Sequence, residues 1–288
     1  MYKILVPKAL KPKARDFLLE KGYELVELPG SDEETLKKAI ATVDAVIART
    51  EKYTPAVIGA AQNLKIIARY GIGYDNINLP ACDAKGVTVT LARGCNTYSV
   101  AEHAITLALA CLRQIPQLNN QVQQGNWKSR DTVETHEARY KTFGSIGIGP
   151  IGMEAVKIAH FGFQMKILVY DKFVDRSKFP DWIEFVDTLD ELMEQADIVS
   201  PHLPLNQGTF HILNAESISH MKPTGILLNV SRGAIWDEEA VYEALKTIRL
   251  PLLERMYMKK NRQLRIIRCL PCPTLSGRRI RLRSVKKQ

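Results

Sequence analysis

Six consecutive residues carry the clearest chemistry in the chain. Gly147-Ile148-Gly149-Pro150-Ile151-Gly152 is a G-x-G-x-x-G run. An apolar stretch, residues 142–148, leads into it, and a helical pattern over residues 153–161 leads away. A second apolar stretch, residues 166–170, then ends at Asp171, 19 residues beyond Gly152. In that frame the glycines permit a tight turn and let the backbone approach a pyrophosphate at a helix N-terminus. An acid so placed accepts hydrogen bonds from the adenosine ribose and repels a 2′-phosphate, so NAD is expected rather than NADP. The glycine run alone is a weak signal. The strand before it, the helix after it and the acid beyond give it weight, and the alternative is a glycine turn with a surface Asp. Pro150 departs from the pattern because it has no N–H to offer a phosphate.

Other reactive residue types are scattered. His103, His136, His160, His202, His211 and His220 show no metal-ligand spacing, and no metal is expected. His103 reads as a packed helix residue, and His202 as the end of a strand beside the dinucleotide. Cys269 and Cys272 form one C-x-x-C, two ligands short of a zinc site. Arg232 follows an apolar run, residues 226–230, at a sheet edge where α/β proteins bind ligands.

These residues need a scaffold, and the rest of the chain describes one. Short Val- and Ile-rich runs at residues 3–7, 23–28, 45–49, 65–70, 87–91, 142–148, 166–170, 197–202 and 225–230 alternate with amphipathic stretches. That alternation predicts an α/β fold with mostly parallel sheets. Ser31 with Glu34 and Ser99 with Glu102 have the spacing of capping boxes, and Asp237-Glu238-Glu239 opens a further helix. One long helix is expected over residues 99–124, connecting two domains, with a kink at Pro116. A chain of 288 residues is long enough for two domains. No stretch approaches the roughly 18 apolar residues of a membrane span, and the N-terminus reads as a strand rather than a leader. Five cysteines without framework spacing fit a reducing compartment, so the cytoplasm is expected.

The net charge of +9 is unevenly placed. Residues 248–288 hold 13 Lys and Arg against one acid, Glu254, while residues 1–247 hold 27 bases and 30 acids. The body therefore lacks the basic surface of a nucleic-acid binder. Binding of nucleic acid through the tail would follow nonspecifically from its composition.

Taken together, the motifs over residues 1–247 resemble the D-isomer-specific 2-hydroxyacid dehydrogenases, and phosphoglycerate dehydrogenases in particular. The stretches that carry this are Ala68-Arg69-Tyr70-Gly71-Ile72-Gly73-Tyr74-Asp75-Asn76-Ile77, Ser99-Val100-Ala101-Glu102-His103, the glycine run, His202-Leu203-Pro204-Leu205-Asn206 and Leu228-Asn229-Val230-Ser231-Arg232-Gly233-Ala234. The resemblance implies two Rossmann-like domains: a flavodoxin-like substrate domain over 1–98 and a doubly wound NAD domain over 99–247. It implies cofactor contacts at Gly147, Gly149, Pro150, Ile151, Gly152, Asp171, His202, Pro204, Thr209, Val230 and Ser231. Arg232 would hold the carboxylate and carbonyl of a 2-oxo or 2-hydroxy acid, and Gly71, Ile72 and Gly73 would offer backbone N–H groups to the carboxylate. Arg49 and Arg69 match positions that face a substrate phosphate, and the alternative for both is an ordinary surface arginine. Relatives commonly dimerise around the long helix, so a homodimer is expected.

The family delivers a proton from a histidine oriented by a glutamate, both C-terminal to the arginine. Here no histidine follows His220. Read one nucleotide out of step, Met256-Tyr257-Met258-Lys259-Lys260-Asn261-Arg262 permits V-Y-E-E-E-P, close to the family's glutamate motif. Residues 248–288 are accordingly expected to be an out-of-frame tail, leaving the C-terminal part of the fold missing and catalysis impaired. A catalytically silent NAD-binding regulatory protein is the second reading.

Overall fold

A computed structural model describes residues 1–7 and 10–247. They form two compact units that divide between Arg93 and Gly94. The expected division fell five residues later, at 98/99. Ile248–Gln288, the expected out-of-frame tail with its Cys269/Cys272 pair, lies outside the described residues.

The first unit alternates strictly: β1 (Lys3–Val6), α1 (Pro12–Glu20), β2 (Glu24–Glu27), α2 (Glu33–Ile40), β3 (Ala45–Ala48), α3 (Pro55–Ala60), β4 (Ile66–Arg69), α4 (Leu79–Ala84) and β5 (Thr88–Leu91). Its sheet is parallel in the order β2-β1-β3-β4-β5, the flavodoxin-like arrangement. Alternate strand residues face opposite ways. Leu5, Val46, Ala48 and Ile67 pack under α2, α3 and α4, while Ile4 and Val6 meet Leu18 of α1 on the other face.

In the second unit three helices, α5 (Thr97–Leu112), α6 (Ile115–Gln123) and the short α7 (Ser129–Thr132), precede the sheet. Then come β6 (Thr142–Ile146), α8 (Pro150–Lys157), β7 (Lys166–Tyr170), β8 (Ile183–Phe185), α9 (Leu189–Gln195), β9 (Ile198–Pro201), α10 (Ala215–Ser219), β10 (Ile226–Leu227) and α11 (Glu238–Thr247). The strands are parallel in the order β10-β9-β6-β7-β8. The order reverses between β6 and β9, which is where a doubly wound sheet opens a ligand crevice. Helices α5 and α8 cover one face through Ala101, Ile105, Ala108, Ala155 and Val156. Leu192, Ile218 and Val241 of α9, α10 and α11 cover the other.

Several local expectations are corrected. The long helix is two helices, because Gln114 takes a left-handed backbone (φ 51°) after Arg113 and a new helix starts at Ile115. Pro116 therefore sits in a first turn, where its missing N–H has no helical partner to lose, and does not kink a continuous helix. The Ser31 box is displaced: Asp32 is the cap, and its carboxylate accepts from the Thr35 amide at 2.9 Å. Ser99 lies inside α5, which begins at Thr97 with no side-chain cap. Strand β8 was not expected, because three residues are too short for alternation to register. The acids at the start of α11 are placed as read, with the Asp237 carboxylate accepting from the Glu239 and Ala240 amides.

Candidate functional site

The glycine turn leaves the end of β6 and enters α8 at the switch point of the second sheet. Its three glycines meet three different constraints. Gly147 has φ +89°, and a Cβ there would lie 2.7 Å from Leu203 and 3.1 Å from the His202 carbonyl. Gly149 has ordinary extended dihedrals and open space around its missing Cβ, so its backbone can be approached closely. Gly152 is buried, and a Cβ there would stand 2.5 Å from the Gly147 carbonyl, so only glycine lets α8 close onto the turn. Buried Ser145, which sequence reasoning missed, donates to the same carbonyl at 2.7 Å.

Pro150 and half-buried Ile151 open α8. At the first helical position an N–H would have no intrahelical partner, and proline's fixed φ suits the helix, so Pro150 weakens the turn less than its sequence position implied. The amides of Gly149, Ile151 and Gly152 donate to no carbonyl in the turn among the described residues. They are the donors a pyrophosphate would meet.

Asp171 stands at the end of β7 and already accepts two hydrogen bonds. The Ile148 amide donates to Oδ2 at 2.9 Å, and the Phe173 amide donates to Oδ1 at 2.9 Å. Each carboxylate oxygen keeps capacity for a ribose hydroxyl.

Two further loops line the same sheet edge. His202 follows β9, and burial pushes its imidazole down to about 4. The residue as a whole keeps some exposure, but both ring nitrogens are sealed from solvent with no partner among the described residues. The ring is therefore neutral at physiological pH and unfit as a charged group. The Thr209 hydroxyl donates to the Pro204 carbonyl at 2.6 Å and accepts from the Asn206 amide at 2.9 Å, so it closes its own loop. The Ser231 hydroxyl likewise donates to the Pro201 carbonyl at 2.7 Å and accepts from the Leu203 amide at 3.2 Å. Through Ser231 the loop after β9 is braced against the arginine turn. Val230 is half-buried against the α5/α8 side of the core. Arg232 is half-buried in extended backbone, and Asn229 holds it from within: its carboxamide donates to the Arg232 carbonyl at 2.8 Å and accepts from the Ser231 amide at 3.0 Å. Asn229 lay inside a quoted motif without a role. An Asn three residues before the arginine is a turn-forming signal that could have found it.

The remaining expected residues lie in the first unit, after β3 and β4. Arg69 is 4% exposed, so the surface-arginine alternative fails for it. Its guanidinium folds back onto the Tyr70 carbonyl, over Gly71, where φ is +138° and a Cβ would collide with it. The amides of Ile72 and Gly73 donate to no backbone carbonyl among the described residues, as an anion nest requires. Arg49 is half-buried, with its amide donating to the Glu51 carboxylate at 2.8 Å. Asn76 ties the two loops, its carboxamide donating to the Glu51 carbonyl at 2.6 Å. Buried Glu51 and half-buried Asn76 are organising residues that the sequence did not reveal, since Asn76 meets Glu51 across 25 positions and Arg49 across 27.

Among the described residues no group of three or more His, Cys, Asp or Glu is placed to hold a metal ion. No helix among them is long and apolar enough to cross a membrane.

A parallel sheet in this order, with a glycine turn at its switch point and an acid closing the next strand, defines a dinucleotide-binding Rossmann domain. Residues 105–252 match the family described as D-isomer specific 2-hydroxyacid dehydrogenase, NAD binding domain. The hydroxypyruvate reductase of Thermotoga maritima is 40% identical over 243 residues, 84% of this chain and 78% of that protein. The D-3-phosphoglycerate dehydrogenase of Archaeoglobus fulgidus is 37% identical over 246 residues, 85% of this chain and 46% of that protein. The chain thus spans about half the length of the curated phosphoglycerate dehydrogenases it matches. A crystal structure of D-lactate dehydrogenase from Aquifex aeolicus, complexed with NAD and lactic acid, matches with TM-score 0.76 at 27% identity, covering 84% of this chain and 73% of that one. The chain belongs to the D-isomer-specific 2-hydroxyacid dehydrogenase family, and the domain that carries the glycine turn is that family's NAD-binding domain.

Proposed function

We propose that the chain is an NAD-dependent oxidoreductase acting on the CH–OH group of a D-2-hydroxy acid, of the phosphoglycerate type. The observation that carries this is the turn Gly147–Gly152 at the β6/β9 switch point, with Asp171 closing β7 beside it. The amides of Gly149, Ile151 and Gly152 bind the pyrophosphate, and Asp171 binds the adenosine ribose and turns away a 2′-phosphate. Bound NAD supplies the acceptor for the substrate's C2 hydride, or NADH its donor. Arg232, braced by Asn229 and Ser231, pairs with the carboxylate and carbonyl of the 2-oxo acid. In the first unit, the amides after Gly71 and the side chain of Arg49 serve the substrate's acidic groups. Arg69, buried as it is, acts mainly by holding the Gly71 turn.

Reduction of a 2-oxo acid also needs a proton, and residues 221–288 hold no histidine that could deliver it. With residues 248–288 read as an out-of-frame tail the general acid is lost, which removes about 10²–10⁴ in rate, so on this reading turnover is slow while cofactor binding persists. A homodimer in the cytoplasm, with no specific nucleic-acid or membrane partner, completes the reading. The test is titration of NADH against the purified protein by fluorescence, followed by a panel of 2-oxo acids that includes a phosphorylated one. Saturable NADH binding with weak acid-dependent oxidation is expected. Absence of any saturable binding by folded protein overturns the reading.

A further inference from the structure

The hydrogen bond between Ile148 and Asp171 gives that acid a second task. Ile148 is the residue between the first two glycines, and it is 4% exposed as a whole. The turn is fastened to the end of β7 at two adjacent points. The Gly147 amide donates to the Tyr170 carbonyl at 2.8 Å, and the Ile148 amide donates to the Asp171 carboxylate at 2.9 Å. The carboxylate is itself fixed, because the Phe173 amide donates to its other oxygen at 2.9 Å. A buried amide left without an acceptor is costly, so a turn that lost this acceptor would rotate to find another. Rotation at Ile148 would redirect the amide of Gly149, its neighbour in the chain.

We propose that Asp171 is a positioning residue for the pyrophosphate turn, acting through the Ile148 amide, apart from any contact with the ribose. This rests on the dinucleotide reading above and adds to it a consequence for specificity. Replacing Asp171 to admit a 2′-phosphate also deforms the phosphate cradle, so the exchange of cofactor cannot be made at this position alone.

The two roles have opposite signatures toward a ligand that lacks ribose hydroxyls. If Asp171 served only the ribose, removing its negative charge from the neighbourhood of a diphosphate would leave binding of 2′,3′-dideoxyadenosine diphosphate unchanged or tighter. If it positions the turn, the same ligand binds more weakly. The experiment compares ADP and the dideoxy analogue by calorimetry on the full chain and on Asp171→Asn and Asp171→Ala, with thermal melts to confirm folding. Amide hydrogen exchange at Ile148 is followed without ligand. We expect a five- to tenfold weaker dideoxy-ADP affinity and at least tenfold faster exchange at Ile148 in Asp171→Ala, with smaller changes of the same sign in Asp171→Asn, whose carboxamide oxygen can still accept from the Ile148 amide. Unchanged exchange, with dideoxy-ADP bound as well as or better than by the parent, overturns the proposal. Should the parent bind neither nucleotide, the dinucleotide reading falls, while the exchange rate still decides whether Asp171 holds the turn.

Discussion

At the scale of single residues, the site is built as much by side chains that hold backbone as by side chains aimed at a ligand. Ser145, Asp171, Asn229 and Ser231 each fix a carbonyl or an amide of a loop at the sheet edge. His202 illustrates the energetic cost of such a place. Its imidazole titrates near 4 because burial opposes the charged form, against about 6.5 in an unfolded chain. Between those values the unfolded state binds the proton and the folded state does not. The stability associated with the neutral ring is therefore complete above about pH 6.5 and is lost as the pH falls toward 4, a change of about 3 kcal/mol. Urea unfolding at several pH values should show a steeper loss between pH 6.5 and 4 in the parent than in His202→Gln. Parallel curves for the two proteins would refute the assignment.

At the scale of elements, the junction between β6 and α8 sets what the glycines tolerate. At Gly152 an added methyl meets backbone, the Gly147 carbonyl at 2.5 Å, which no rotamer change relieves. Gly152→Ala is expected to lose about 1–3 kcal/mol of stability through overpacking and to weaken NADH binding with it. At Gly149 the space is open and the dihedrals suit any residue. Gly149→Ala should therefore leave the unfolding midpoint nearly unchanged, yet lower NADH affinity, because the methyl occupies the approach to the backbone. Calorimetric melts paired with NADH titration separate the two. A large stability loss in Gly149→Ala, or none in Gly152→Ala, contradicts the packing described.

At the scale of the whole molecule, charge and grammar divide the chain near residue 247. A body of 27 bases and 30 acids is followed by 41 residues with a net charge of +12, and the family match ends at residue 252. We propose that the reading frame shifts at this point. Sequencing the gene across codon 247 is expected to reveal a one-nucleotide change whose correction yields V-Y-E-E-E-P downstream. An unbroken frame with no family-like alternative product disposes of the idea.

Much of this was written in the sequence. Period-two and period-3.6 patterning determined that the chain alternates strands and helices, since each element must bury one face whatever its neighbours. The glycine spacing and Asp171 likewise identified a dinucleotide turn, because local backbone freedom and a nearby acid are properties of short segments. Other features depended on partners distant in the chain and were settled only by tertiary structure. Asp171 meets Ile148 across 23 residues, Asn76 meets Arg49 across 27, and Ser231 meets Pro201 across 30. Helix starts were misread at Ser31 because the adjacent Asp32 takes the cap, and at Ser99 because α5 begins two residues earlier, at Thr97, without a side-chain cap. Burial, which turned Arg69 inward and discharged His202, is set by the protein that surrounds a residue and has no signature in its immediate neighbours.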